Sequence, residues 1–265
     1  MSASHLTGEI ENSDQSVAYK DAGVAVTFSR GIRTIRHIAS FLNVDEVVSP
    51  LEAVRRRLSV SCVVVWGRKG NSRQGLQYAK NRALPVLYVE DGWIRTCSAN
   101  AHSRISYSLL VDDIGVYYDS SVPSSLEQFL NLHDDEFRQN CGTESIAYAA
   151  RCRQLMVEND ITKYNYCVAP NDADLSTDDR PLVLVLDQTV DDASVRLGAM
   201  NTDTFIALLD KAVSENSNSR VVVRTHPDVV AGRRRGYLGD RAKALGIEIS
   251  ARADNPIPWL KKASL

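Results

Sequence analysis

Four short apolar runs stand out along the chain, and each stops on charge or on glycine. "CVVVWG" (Cys62 to Gly67) and "LPVLYVE" (Leu84 to Glu90) lie in the first half. "LVLVLD" (Leu182 to Asp187) and "RVVVRTHPD" (Arg220 to Asp228) lie in the second. Runs this short and this continuous predict strands covered on both faces. Between the first pair, Ser72 is placed to cap a helix from Arg73 to about Arg82. Between the second pair, "DTFIALLDKAVSEN" (Asp203 to Asn216) has the spacing of an amphipathic helix. Strand, helix, strand is the unit of a parallel sheet, so the fold class is α/β.

The remaining pattern fills in around these units. Ile32, Ile35, Ile38 and Leu42 share one face of a helix predicted over Gly31 to Leu42. "RISYSLLVDDIGVYYD" reads as two short strands around Asp112 and Asp113. A helix follows with Ser124 as its cap and Glu127 three residues on. A long helix fills Thr143 to about Asn159, and "KYNYCVA" comes next. Pro170 to Pro181 then breaks the pattern with two prolines and four Asp, which marks a domain boundary. Beyond it, "DRAKALG" predicts a helix closing on Gly246, and "IEIS" a further strand. This second pattern holds three strands at most, where a doubly wound domain has about five or six. The division is a flexible lead-in over 1–20, a Rossmann-like half over 21–170, and a partial second one over 181–265.

Composition narrows the class without naming a function. The chain has 265 residues and a net charge of −2, so no global basic field invites nucleic acid or an anionic membrane. Its cysteines are Cys62, Cys97, Cys141, Cys152 and Cys167, an odd set with no C-x-x-C pair. They read as reduced thiols in a reducing compartment rather than a disulfide framework or a zinc site. No apolar leader and no run of about 18 apolar residues is present. A cytoplasmic location is expected.

Candidate chemistry sits where the strands end. In open α/β sheets, ligands gather at the carboxyl ends of the strands. Glu90 and Asp91 close the second run, then Gly92 turns the chain and Arg95 supplies a cation. A carboxyl there can act as acid or base if burial raises its pKa, or can simply form a turn. Asp187, followed by Gln188, closes the third run in the same way. It suits attack on a sugar carbon, and it suits an ordinary turn. His226 follows the fourth run, flanked by Arg224 and fixed by Pro227, in a setting fit for proton transfer or hydrogen bonding. Arg233 to Arg235, between Gly232 and Gly236, could grip an anion or be a solvated run. The loop "WGRKGNS" (Trp66 to Ser72) holds Lys69 near a helix start but lacks the P-loop order. No dinucleotide, nucleophile-elbow or zincin motif occurs.

Several unusual strings occur in one order: "WGRK", "LPVLYVEDGWIRT", "ISYSLLVDDIGVYYDSSVPSSLEQFL", "ITKYN", "LVLVLDQTVDDASVRLGAMNTDTFIALLDKAV" and "VVVRTHPDVVAGRRRGYL". Together, from about Cys62 to Pro256, they resemble the capsule polysaccharide synthesis proteins of the KpsC/LipB type. The resemblance implies two Rossmann-like halves of the GT-B kind, the second incomplete here. It implies a retaining glycosyltransferase that moves β-Kdo, an eight-carbon acidic sugar, from CMP-Kdo to a lipid-linked glycan of capsule or lipopolysaccharide. Asp187 matches the family's proposed nucleophile, Glu90 its acid/base position and His226 its site histidine. Arg95, Lys69, Arg224 and Gln188 become expected contacts to the sugar carboxylate or the phosphate. Neither metal nor organic cofactor is expected, and the acceptor would bring the chain to the inner membrane's surface.

Lys69-Gly70-Asn71 replaces a common Lys-Pro-Ser string, and Trp93 a common Phe. The family's Gly-Phe-Glu-like segment, which binds the CMP half, has no match after "NPIPWL", so C-terminal truncation is expected. That motivates a second reading, an inactive relative that binds glycan or a biosynthetic partner. A third, nucleic-acid binding through Arg233 to Arg235, lacks both the charge and an aromatic platform.

Overall fold

The computed structural model describes residues 23–97, 105–165, 175, 178–250, 252 and 254–264. The lead-in over 1–20, Cys167 and most of the polar stretch 170–181 lie outside the described residues. The first sheet holds β1 (Val24–Val26), β2 (Glu46–Val48), β3 (Val60–Trp66), β4 (Val86–Asp91) and β5 (Leu109–Asp112). Their order is β2-β1-β3-β4-β5. All neighbours are parallel except β5, which runs antiparallel to β4 and pairs Glu90 with Leu110.

Alternation along β3 explains why its run is apolar throughout. Cys62 and Val64 pack with Ile32, Ile35, Ile38 and Leu42 on one face. Val63 and Val65 pack with Ala79 on the other, under the helix α4 (Ser72–Arg82). Each such fully buried valine contributes about 1.5–3 kcal/mol. The helix lies close because Gly75 faces Val65; a Cβ there would stand 2.7 Å from its Cγ1.

The second sheet is parallel, in the order β6-β7-β8, from β6 (Leu182–Leu186), β7 (Arg220–Arg224) and β8 (Glu248–Ser250). Val183, Val185, Val221 and Val223 pack with Phe205 and Leu209 of α9 (Thr202–Glu215). Leu182 and Val222 pack on the opposite face with Trp259 of α12 (Pro256–Lys262). An Asn201–Thr204 capping box starts α9, and Gly246 at φ 67° follows the short α11 (Gly239–Ala244).

Among the described residues, Ser120 and Asp160 each bond across the two halves. The amide and hydroxyl of Ser120 both donate to Leu197 O, at 2.9 and 2.8 Å. Asp160 accepts from Lys261 Nζ at 2.7 Å, and its carbonyl from Asn255 Nδ2 at 2.6 Å. The acceptor of the first contact lies on α8 (Ala193–Leu197).

Three expectations require correction. The helix over Gly31 to Leu42 is two short ones, α1 (Arg30–Arg33) and α2 (Ile38–Leu42), parted at His37 with φ 62°. All four of its apolar positions are buried all the same, because bent helical pieces satisfy the same spacing. Only one strand, β5, forms around Asp112 and Asp113. There Asp112 Oδ1 accepts from the amides of Ile114 and Gly115 and from Ser125 Oγ, which turns the chain out of the sheet. Ser72 does not cap α4; its hydroxyl donates to Trp66 O at 2.8 Å and Asn71 takes the cap position. The remaining helices are α3 (Pro50–Arg56), α5 (Ser125–Leu130), α6 (Asp134–Cys141), α7 (Thr143–Glu158) and α10 (Pro227–Val230). Ser124 caps α5 as expected, accepting from Glu127 N at 3.1 Å. Among the described residues no helix is long and apolar enough to cross a membrane.

Candidate functional site

Glu90 reaches the end of β4 beside the turn that follows β3. That turn begins at Gly67, whose φ of 41° belongs to the left-handed region. A Cβ at Gly67 would collide with Glu90 Oε1 and with the hydroxyl of Tyr118. The missing side chain therefore makes room for a hydrogen bond, Tyr118 Oη donating to Glu90 Oε1 at 2.7 Å. Burial pushes the Glu90 carboxyl above its ordinary pKa. The Tyr118 bond and the charges of Lys69 and Lys163 pull it partly back, while Asp91 pushes it up. Such a rise moves a carboxyl toward the range in which it can serve as acid or base.

Lys163 arrives from a separate turn. Its carbonyl accepts from the amides of Arg95 and Thr96, at 2.8 and 3.3 Å. The Asn165 side chain closes the turn on Thr162, with bonds of 2.7 and 2.6 Å. Lys69 lies over the Trp66 ring, 4.7 Å from its centre.

On the other sheet, Asp187 follows β6 and is 4% exposed. Its backbone amide donates to Arg224 O, and its Oδ1 accepts from Gln188 N and Tyr237 N at 2.8 and 3.0 Å. A short antiparallel bridge, Thr189 to Gly236, holds the loop after β6 against the loop carrying Arg233 to Arg235. Asp187 Oδ2 is buried without a hydrogen-bond partner. It packs on Gly236, where a Cβ would overlap it. Burial raises the Asp187 pKa; the amides of Tyr237, Gln188 and Leu238 and the charge of His226 oppose the rise. His226 Nδ1 accepts from Asp228 N at 3.1 Å, so the neutral ring carries its proton on Nε2.

Gly236→Ala should push the Asp187 carboxyl off its two amides. The expected result is a loss of about 1–3 kcal/mol from overpacking. Any reaction at Asp187 should slow about 10²-fold, the usual cost of a misplacement near 1 Å. Thermal unfolding and initial rates check this; a variant with unchanged rate would contradict the close packing.

Tyr117 lies within electrostatic reach of both edges. Burial raises its hydroxyl pKa, and the charges of Glu90, Asp192 and Asp91 raise it further. Asp192 caps α8, accepting from Ser194 N at 2.8 Å. Of the predicted residues, Glu90 and Lys69 come together on the first edge, and Asp187, Gln188 and His226 on the second. Two of the expected ligand contacts, Arg224 and Arg95, have partners within the fold. Arg224 is 8% exposed and held by Asp254, donating at 2.5 Å to both its Oδ1 and its carbonyl. Arg95 binds Asp91 Oδ1 at 2.6 Å and donates to Ile105 O at 2.7 Å. Both guanidinium groups serve the fold, which also makes Asp91 a partner rather than a free acid. Arg233 pairs with Asp228 at 2.6 Å.

Sequence reasoning missed Tyr117, Tyr118, Lys163, Gly67 and Gly236. The tyrosines and the lysine stood only in the strings "VYYD" and "ITKYN", and the two glycines were read as loop residues without the carboxylates they pack against. Among the described residues no group of three or more His, Cys, Asp or Glu side chains is placed to hold a metal.

Comparison with known proteins gives this geometry a context. Residues 61–263 match the family described as capsule polysaccharide biosynthesis protein. The capsule polysaccharide modification protein LipA of Neisseria meningitidis serogroup B is 31% identical over 241 residues, 88% of this chain and 32% of LipA. The lipopolysaccharide-processing protein LpsZ of Rhizobium meliloti is 32% identical over 178 residues, 67% of this chain and 39% of LpsZ. The chain thus spans about a third of the length of these curated relatives. Among solved structures, the beta Kdo 2,4 transferase of Thermosulfurimonas dismutans KpsC superposes with a TM-score of 0.78 at 31% identity. That match covers 92% of this chain and 73% of that one. The beta Kdo 2,7 transferase of the same protein shares the fold, with a TM-score of 0.50 at 22% identity over 91% of this chain and 70% of that one.

Proposed function

The chain belongs to the capsule polysaccharide biosynthesis protein family, and from that membership we propose that it transfers β-Kdo from CMP-Kdo to a lipid-linked glycan by double displacement. The observation that carries the reading is Asp187 Oδ2, a buried carboxylate oxygen with no hydrogen-bond partner. Leaving such an atom unsatisfied costs about 1–3 kcal/mol, and native proteins retain few of them. A role as the reacting atom is consistent with that placement, with the amide of Leu238 close enough to favour the carboxylate's charge.

In the first step, Asp187 Oδ2 attacks the anomeric carbon of Kdo. The bond from that carbon to the CMP phosphate oxygen breaks, and CMP departs with the electron pair. In the second, Glu90 takes the proton of an acceptor hydroxyl. The hydroxyl oxygen attacks the same carbon, and the ester to Asp187 breaks. Two inversions return the original configuration. The two carboxyls need different environments for these tasks. Burial raises both; Asp187 is held by backbone amides, whereas Glu90 meets a neutral hydroxyl and two lysines. Lys69, Gln188 and the Nε2–H of His226 are the groups left to hold the sugar carboxylate or the departing phosphate. The acceptor lipid would draw the protein to the cytoplasmic face of the inner membrane.

The test is incubation with CMP-Kdo and a lipid-linked acceptor analogue, with product configuration read by NMR. A β-linked product is expected, and Glu90→Gln should lower the rate about 10²–10⁴-fold, the range for losing general acid–base catalysis. Calorimetry supplies the contrary outcome: uptake of glycan with no affinity for CMP and no transfer would favour the inactive glycan-binding reading.

A further inference from the structure

The segment Tyr117 to Ser121 leaves the first half and touches both edges of the site. Tyr118 Oη donates to Glu90 Oε1 at 2.7 Å. The same hydroxyl accepts from the amide of Arg68 at 3.4 Å, so its one proton is directed to Glu90. The next residue, Asp119, is 4% exposed. It binds Arg68 Nε at 2.8 Å and accepts from the amide and hydroxyl of Ser121. Ser120 then fastens the segment to α8 with its two bonds to Leu197 O. A Cβ on Gly198 of that junction would stand 3.8 Å from Tyr118 O. Four consecutive residues therefore tie Glu90, Arg68 and the end of α8 together.

We infer that Tyr118 is the positioning residue for Glu90, fixing Oε1 through a segment anchored on both halves so that Oε2 is the oxygen left to exchange protons in the cleft. This rests on the proton role given to Glu90 above. Oε1 is committed: Tyr118 donates to it and Gly67 packs against it. Oε2 is the oxygen to which Tyr118 does not donate. Since α8 also carries the Asp192 cap that follows the Asp187 loop, the segment sets the position of the Glu90 carboxyl relative to the second edge. A tyrosine suits this task better than a charged residue. It holds the carboxylate by a donated bond without adding a fixed positive charge that would keep Glu90 ionised.

The charged groups around Glu90 define what a pH experiment must resolve. Lys69 comes from the loop after β3, Lys163 from the 161–165 turn, and Asp91 from the same strand, itself paired with Arg95. Tyr117 lies beyond Tyr118, ring edge to face at 5.2 Å. Tyr118 forms a direct hydrogen bond that favours the ionised Glu90. Removing the hydroxyl while leaving the ring should shift Glu90 titration to higher pH and leave these neighbours in place.

The experiment follows the Glu90 carboxyl carbon by NMR in the full chain labelled at glutamate, assigned by its absence in Glu90→Gln. In Tyr118→Phe the Glu90 midpoint should move up, and the acid limb of the transfer rate against pH should move with it. Incorporation of 3-fluorotyrosine at 118, a stronger donor, should move the midpoint down. A midpoint unchanged in both variants would overturn the inference, as would a loss of rate equal at every pH. The titration needs no turnover. If the midpoint shifts in a protein that transfers nothing, the positioning stands and the proposed reaction fails; if transfer proceeds and the midpoint is fixed, the reverse holds.

Discussion

Asp187→Asn is expected to abolish transfer while leaving the protein at least as stable as before. The amide keeps one oxygen for the bonds from Gln188 N and Tyr237 N, so the loop after β6 retains its anchor. What it loses is the nucleophilic oxygen. Removing a group of this kind costs on the order of 10⁴-fold or more in related covalent mechanisms. The stability expectation follows from the sign of the pKa shift. Asp187 titrates higher in the folded chain than in the unfolded one, because burial penalises its charge. The folded state therefore binds the proton more tightly. The penalty is absent below the unfolded pKa and complete above the folded one. A neutral asparagine escapes it. Activity loss with an unchanged or raised unfolding midpoint would separate a reacting group from a structural one. A variant that keeps its rate would remove Asp187 from the reaction.

Asp254→Ala should produce the largest loss of stability. Asp254 is 3% exposed and faces Arg224, 8% exposed, at 2.5 Å. Its second oxygen accepts from Trp259 Nε1 at 3.2 Å. One carboxylate thus joins β7 to α12 and orients the tryptophan that closes the core of the second sheet. Breaking a buried pair by deleting one partner costs about 3–5 kcal/mol, because the other charge remains buried and unpaired. Urea unfolding should show a large drop in midpoint. A double change, Asp254→Ala with Arg224→Met, should recover part of it, since no uncompensated charge is left. A single variant within about 1 kcal/mol of the parent would contradict the burial of the pair.

These two carboxylates show how far the sequence could be read. Asp187 was visible because a strand covered on both faces must end somewhere, and a carboxylate at its carboxyl end interrupts the apolar run. Glu90 and His226 were visible for the same reason. Asp254 was not, because "RADNPIP" carries no periodicity and its partner lies 30 residues earlier. Arg224 illustrates the converse. It ends an apolar run just as Asp187 does, and only the packing of α12 shows that its charge is consumed within the fold.

The fold itself was legible where the pattern was long. The runs of β3, β4, β6 and β7, and the spacing of α4, α7 and α9, stand within a residue or two of expectation. The strands β1 and β2, three residues each, offered too few positions for a period to show. The contact between Tyr118 and Gly67 escaped notice because it joins residues 51 apart in sequence, 118 less 67. Local propensity contains no trace of such a contact.

The most direct test of the paired-carboxylate account is to trap the sugar on the protein. Glu90→Gln is incubated with CMP-Kdo in the absence of acceptor, digested, and mapped by mass spectrometry. With the proton acceptor removed and no hydroxyl to attack, the account predicts one Kdo ester on the peptide carrying Asp187, with release of an equal amount of CMP. An ester on another side chain, or transfer by the parent protein that leaves no ester in this variant, would contradict it.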